Sequence, residues 1–279
     1  MQILNLINKE RGDVDYSISR FPDGEVQITL GEFSHKDEIN VRCRITSAEE
    51  LFILMQVSDI LRRHGMRFSI SIYYLMGMRM DRVMSFDRPY TLNMVVHVLD
   101  NLGAYGIYLF CPHSSTALDL FRYTSVAQIN PDRLDNMVNT TFNDYQIVLP
   151  DAGAVERATA DDMPEGIVIG EKVRNVTTGK IESIKIKNPE VIDGRPLLIE
   201  DDLCDGGGTF VGLAQAIREI DPKADVNIVV CHMVNPKGIE NLSKNFNHVW
   251  FTNSYKDWRA EFEKQSTSLP ENVTQIDIV

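Results

Sequence analysis

Residues 196–212 read Pro-Leu-Leu-Ile-Glu-Asp-Asp-Leu-Cys-Asp-Gly-Gly-Gly-Thr-Phe-Val-Gly, and they hold the densest chemistry in the chain. Three carboxylates (Glu200, Asp201, Asp202) stand together, and a fourth, Asp205, opens the triplet Gly206-Gly207-Gly208 that Thr209 closes. Glycines let successive backbone N–H groups turn toward one anion, and a following helix N-terminus adds its partial positive charge. Carboxylates repel phosphate, so the acidic half must face sugar hydroxyls or a metal ion. The combination describes a site for a ribose that carries phosphate. A helix cap would use one acid, not three followed by a glycine triplet. A dinucleotide-binding fold would show G-x-G-x-x-G and a Walker loop Gly-Lys-Ser/Thr, and neither is present.

The elements that must position this stretch follow from its apolar pattern. Leu197 to Ile199 predicts a short buried strand that ends at the acidic corner, and Phe210 to Ile220 has helical spacing. The same order, strand then acid then glycine then helix, recurs at Tyr145 to Leu149 followed by Pro150-Asp151-Ala152-Gly153-Ala154. Residues 48–64 predict an amphipathic helix stopped by Gly65, with a strand from Phe68 to Leu75 after it. Strand, helix, strand marks a parallel sheet. Arg79, Asp81 and Arg82 then fall just beyond that strand's carboxyl end, where ligands bind in such sheets. A helix over 90–102 and a strand over Ile107 to Phe110 lead to His113. A strand over Ile167 to Ile169 precedes Lys172 and Arg174, whose spacing lets both reach one polyphosphate if the segment is extended. Further strands are expected at Met1 to Ile7, Val26 to Leu30, Val226 to Val230 and Val249 to Phe251, with a turn at Arg20-Phe21-Pro22-Asp23-Gly24-Glu25. The polar stretch 125–145 reads as a link between two α/β halves, residues 1–129 and 130–279.

Composition narrows the class. With 43% apolar and 24% charged residues among 279, the chain has the balance of a globular protein with one or two cores. Its formal net charge of −12 argues against a nucleic-acid partner, so a phosphate ligand needs local donors and metal. No apolar run reaches membrane-spanning length, and the first residues lack the basic and apolar regions of a signal peptide. The four cysteines show no C-x-x-C pair and suggest neither a zinc site nor a disulfide framework; a reduced, cytoplasmic location is expected.

Taken together, six blocks of this chain resemble, in order, those of the ribose-phosphate diphosphokinases (phosphoribosyl diphosphate synthetases). The central motif alone is also similar to that of type I phosphoribosyltransferases. The resemblance implies two tandem phosphoribosyltransferase-like α/β domains and a magnesium-dependent transfer of the diphosphoryl group of ATP to a ribose phosphate. The segment Phe21 to Glu25 resembles the family's Phe-Ser-Asp-Gly-Glu. It implies that Phe21 stacks on adenine across a subunit contact, with Asp23 and Glu25 around the amino group, in a dimer or hexamer. Gly77 to Arg82 resembles Tyr-Ala-Arg-Gln-Asp-Lys/Arg, implying that Arg79 touches ATP phosphate with Asp81 nearby. His113 and Asp151 are implied to bind magnesium, and Asp151-Ala152-Gly153 to form the diphosphate loop. Lys172 and Arg174 match the catalytic Lys-x-Arg. Asp201 and Asp202 would hold the ribose hydroxyls, and Asp205, Gly206, Gly207, Gly208 and Thr209 the 5-phosphate.

The chain departs from the family pattern at instructive places. Gly206 stands for the family's Thr in Asp-Thr-Gly-Gly-Thr, Met80 for Gln, Ala154 for the second Gly of Pro-Asp-Ala-Gly-Gly, and Cys111-Pro112 for the Asp-Leu before His113. A 5′-substituted ribose such as ADP-ribose, which would tie the reaction to NAD metabolism, is therefore a second possible acceptor. A phosphoribosyltransferase and a regulatory subunit without catalysis compete with the kinase reading. The first would need a nucleobase hood that is not found, and the second should have lost Lys172, Arg174 or His113, all of which stand.

Overall fold

The computed structural model describes residues 1–129, 138, 144–157, 166–174 and 181–279. Two compact units divide the chain, residues 1–130 together with Val279, and residues 131–278. Each has its own α/β core.

The first unit is built on a five-stranded parallel sheet of β1 (Gln2–Asn5), β4 (Ile39–Ile45), β5 (Phe68–Leu75), β6 (Gly106–Phe110) and β7 (Ser125–Ile129), in the order β1-β4-β5-β6-β7. Helices α1 (Ala48–Arg63), α2 (Thr91–Asp100) and α3 (Thr116–Asp119) fill the connections. A full capping box starts α1: Ser47 accepts from the Glu50 N–H, and Glu50 reaches back to the Ser47 backbone. Such a cap stabilises a helix by about 1 kcal/mol. Strand β5 alternates apolar and serine residues, a pattern that usually leaves one face in water. Here Ser69 and Ser71 are buried, because the Asn40 side-chain amide donates to both hydroxyls at 3.0 Å. An antiparallel hairpin, β2 (Tyr16–Arg20) with β3 (Val26–Leu30), adds to this unit.

The second unit carries a seven-stranded sheet ordered β10-β9-β8-β11-β12-β13-β14. Its strands are β8 (Gln146–Leu149), β9 (Val168–Arg174), β10 (Ile181–Ile186), β11 (Leu197–Cys204), β12 (Val226–Met233), β13 (Val249–Thr252) and β14 (Val273–Ile276). All neighbours are parallel except β9 and β10. Helices α4 (Ala152–Arg157), α5 (Gly208–Ile220), α6 (Pro236–Asn245) and α7 (Trp258–Lys264) complete it. No helix among the described residues is long and apolar enough to cross a membrane.

Several sequence expectations change. The link region contains a strand: β7 pairs with β6 over all five of its residues. Its residues are mostly exposed, so the sheet edge is polar and gives no apolar signal. The central strand does not end at Ile199. It runs through the acids to Cys204, because β12 offers partners as far as Met233. Helices α6 and α7 and strands β2 and β14 add to the elements expected from the sequence. Much of the interior of the expected link, and the Thr/Gly-rich stretch 175–180, lie outside the described residues.

Candidate active site

In the second unit the acids and the glycines form one continuous track. Because β11 extends to Cys204, Glu200, Asp201 and Asp202 sit on a strand with a ladder partner for Asp201 in Val230 of β12. Asp202 is buried, and its N–H donates to the Asp201 carboxylate at 2.9 Å. The chain then turns through Asp205 and Gly206 into Gly207, whose φ of 75° lies in the left-handed region open to glycine, and α5 begins at Gly208. Thr209 occupies the first turn of α5, where backbone N–H groups lack partners within the helix. Beneath this turn Cys204 is fully buried. Burial, with the nearby charges of Asp205 and Asp201, pushes its thiol up to about 12, so it is no nucleophile.

Helix α6 supports the same turn from residues that no sequence pattern marks. Asn235 donates to the Asp205 carboxylate at 2.9 Å, and Asn241 to the Gly206 carbonyl at 2.8 Å. The one signal in the sequence is Asn235-Pro236, an N-cap followed by proline at the first helical position.

Asp151 follows β8 directly and caps α4: its carboxylate accepts from the Ala154 N–H at 3.0 Å. Ala152 and Gly153 form the first turn of that short helix. Lys172 and Arg174 lie on β9, opposite Ile184 and Ile181 of β10. Strand β9 pairs with β8 at Val168 and Ile169, and from Gly170 to Arg174 with β10, so both cations ride on an antiparallel ribbon at the sheet edge.

In the first unit, Arg79, Asp81 and His113 follow the carboxyl ends of the neighbouring strands β5 and β6. Gly77, at φ 86°, folds this loop against the start of α2, where Leu92 donates to the Met80 carbonyl at 3.2 Å. Arg79 is exposed. Asp81 is buried beneath Arg82, which grips it with two hydrogen bonds of 2.9 and 3.1 Å. That guanidinium holds the Asp81 carboxyl below its ordinary value. Ser114, next to His113, stands beside Asp81 but makes no hydrogen bond of good geometry. The two loops therefore meet.

Phe21, Asp23 and Glu25 form the tip of the β2–β3 hairpin. Phe21 is half exposed, and its N–H donates to the Glu25 carbonyl at 2.9 Å across the turn. The Asp23 carboxylate accepts from the Glu25 N–H at 3.2 Å. The arm is held to α1 at two levels. Arg20 pairs with Glu49, and Gln56 bridges β3 by donating to the Val26 carbonyl at 2.8 Å and accepting from the Ile28 N–H at 3.0 Å.

A metal would find oxygen donors at Glu200, Asp201, Asp202 and Asp151, the hard ligands magnesium prefers. No cluster of three or more His, Cys, Asp or Glu residues converges among the described residues. Such an open set fits magnesium, which keeps its waters and takes one or two carboxylates plus substrate phosphates.

Each α/β unit thus sets acids or a glycine turn at the carboxyl ends of parallel strands, where ligands bind in such sheets. Comparison with known proteins shows what the chain is similar to. No family model matches the chain. It is 27% identical to a ribose-phosphate pyrophosphokinase of Pyrococcus abyssi over 282 aligned positions, covering 99% of this chain and 89% of that protein. It is 28% identical to one from Vibrio parahaemolyticus over 214 positions, covering 74% and 67%. The fold matches the crystal structure of a phosphoribosylpyrophosphate synthetase from Mycobacterium smegmatis with a TM-score of 0.78 at 20% identity, over 97% of this chain and 88% of that one. Across nearly its whole length the chain is thus similar, at 27% identity, to a ribose-phosphate pyrophosphokinase, and it shares the fold of a phosphoribosylpyrophosphate synthetase.

Proposed function

We propose that the protein transfers the β,γ-diphosphoryl group of ATP to the anomeric hydroxyl of ribose 5-phosphate. The observation that carries this reading is the unbroken run of β11 from two ribose-facing acids into a glycine turn at a helix start. The anomeric oxygen bonds to the β-phosphorus, the bond to the α-phosphate oxygen breaks, and AMP leaves. Asp201 and Asp202 orient the sugar by accepting from its hydroxyls. Asp205, Gly206, Gly207, Gly208 and Thr209 receive the 5-phosphate. Lys172 and Arg174, with Arg79, balance charge spreading over the transferring group; transfers of this kind need alignment and neutralisation more than covalent help. Phe21, Asp23 and Glu25 take the adenine, and Asp81, paired with Arg82, belongs to the same ATP-binding set. Asp151, Ala152 and Gly153 take the diphosphate. His113 and Asp151 would be the protein ligands of magnesium, which when bound would supply further neutralisation of phosphate oxygens. An assembly of at least two subunits, with the adenine shared between them, and a cytoplasmic setting belong to the same proposal.

Release of AMP from ATP and magnesium, with ribose 5-phosphate and ADP-ribose offered in parallel, tests it. A phosphoribosyltransferase would yield pyrophosphate and a regulatory subunit neither product. One observation favours ADP-ribose as a second reading. A Cβ at Gly206 would meet nothing within 4 Å, and the backbone there is not left-handed. The glycine is not demanded by the turn, so it leaves room at the 5-phosphate end.

A further inference from the structure

We infer that α6, and Asn241 above all, sets the orientation of the peptide units that receive the acceptor's phosphate. This inference rests on the functional reading of the glycine turn and adds residues that lie outside its motif.

Every residue from Cys204 to Gly207 meets α6 or the segment leading into it. The Cys204 carbonyl accepts from the Val234 N–H at 2.9 Å. The Asp205 carbonyl lies so close to Gly238 that a Cβ on that glycine would stand 2.2 Å from the oxygen. The Gly206 carbonyl accepts from Asn241, and a Cβ on Gly207 would press on Leu242 at 3.2 Å. Two consecutive carbonyls, of Asp205 and Gly206, are therefore turned toward α6. In a trans peptide the N–H points opposite to the C=O of the same unit. The N–H groups of Gly206 and Gly207 consequently point away from α6, as donors for an anion at the start of α5.

Glycine gives this turn no intrinsic preference for that orientation, since it enters either sign of φ at little cost. A Gly-Gly-Gly turn without an external hold would sample peptide flips that replace a donor with a carbonyl oxygen. Asn241 holds the Gly206–Gly207 unit by its oxygen. Asn235 holds the neighbouring Asp205 side chain while its own side-chain oxygen caps α6 at the Lys237 N–H, 3.0 Å away. The two asparagines are positioning residues. They act through the loop without touching substrate.

The test pairs Asn241→Ala with Asn235→Ser, which keeps an N-capping residue but shortens the reach to Asp205. In wild type and variants, KM for ribose 5-phosphate and for ATP are measured by AMP release, alongside the rise in unfolding temperature given by inorganic phosphate. Asn241→Ala is expected to raise the acceptor KM about tenfold, the cost of a lost hydrogen bond's alignment, with the ATP KM unchanged. Its stabilisation by phosphate should fall in step, and Asn235→Ser should show a smaller change of the same kind. An unchanged acceptor KM, or an equal rise in both KM values, overturns the inference. A wild-type protein that releases no AMP defeats the functional reading instead; phosphate stabilisation lost in Asn241→Ala would still support the loop's dependence on α6, and stabilisation kept would overturn it.

Discussion

Gly170 of β9 lies against the carbonyl of Pro150, the residue before Asp151: a Cβ at position 170 would stand 2.7 Å from that oxygen and 2.9 Å from Leu213 of α5. The ribbon bearing Lys172 and Arg174 thus approaches the Asp151 turn as closely as backbone permits. Gly170→Ala is expected to destabilise the protein by about 1–3 kcal/mol, the usual cost of overpacking. It should also lower kcat by displacing both cations. Chemical denaturation and steady-state kinetics on the same sample check this; an alanine variant of unchanged stability would show that the approach is not tight.

Lys172 separates binding from chemistry. Its charge is proposed to act on the group in flight, so Lys172→Ala should lower kcat on the order of 10²–10³, as loss of a preorganised charge-stabilising group does. The KM for ATP should hardly move. Equal losses in kcat and in ATP affinity would make Lys172 a binding residue.

Gly206 offers a gain of function. The open space around it accepts a side chain without strain. Gly206→Thr is expected to lower the KM for ribose 5-phosphate about fivefold, from one added hydrogen bond of about 1 kcal/mol. It should also obstruct ADP-ribose. Loss of turnover with both acceptors would mean that the turn requires glycine at this position after all.

Asp100, at the end of α2, gives a pH signature. Burial raises its carboxyl, but hydrogen bonds from the N–H groups of Arg122, Thr124 and Tyr123 outweigh that and hold it below its ordinary value. A depressed folded-state pKa contributes stability that is fully present above the unfolded value, near about 4, and is lost as pH falls through the folded value. Asp100→Asn should therefore cost about 1–3 kcal/mol at pH 7, where its amide N–H groups would face backbone donors. That difference should shrink as pH falls from about 4, where the unfolded chain's carboxylate takes up its proton, through the lower folded-state value. Unfolding at both pH values measures it; a difference independent of pH would place the effect in packing.

What could be read from the sequence was set by residue type and period. The helix over 48–63 announces itself through Ser47, Glu50 and its apolar spacing, and β5 through its β-branched and aromatic run. The acid and glycine residues of the candidate site are legible because few other roles require them together. The end of β11 is not, since three consecutive carboxylates have poor strand propensity and only the ladder with β12 keeps them extended. Helix α6 hides behind Pro236, Gly238 and three asparagines between 235 and 245. Its hold on the glycine turn joins residues 30 and 35 apart, a separation that no local pattern reports.

The place of β11 in its sheet has a consequence for how such an enzyme can diverge. This strand is laced to β8 on one side and β12 on the other, whereas β10 at the rim pairs with β9 alone. The acids proposed to recognise the sugar are thus the surveyor's benchmark of their sheet, and the cations proposed to handle the phosphoryl group lie on β9, one strand in from its hem. On that proposal, lineages could retune speed by altering the hem, or change diet through a single glycine, without either revision disturbing the other.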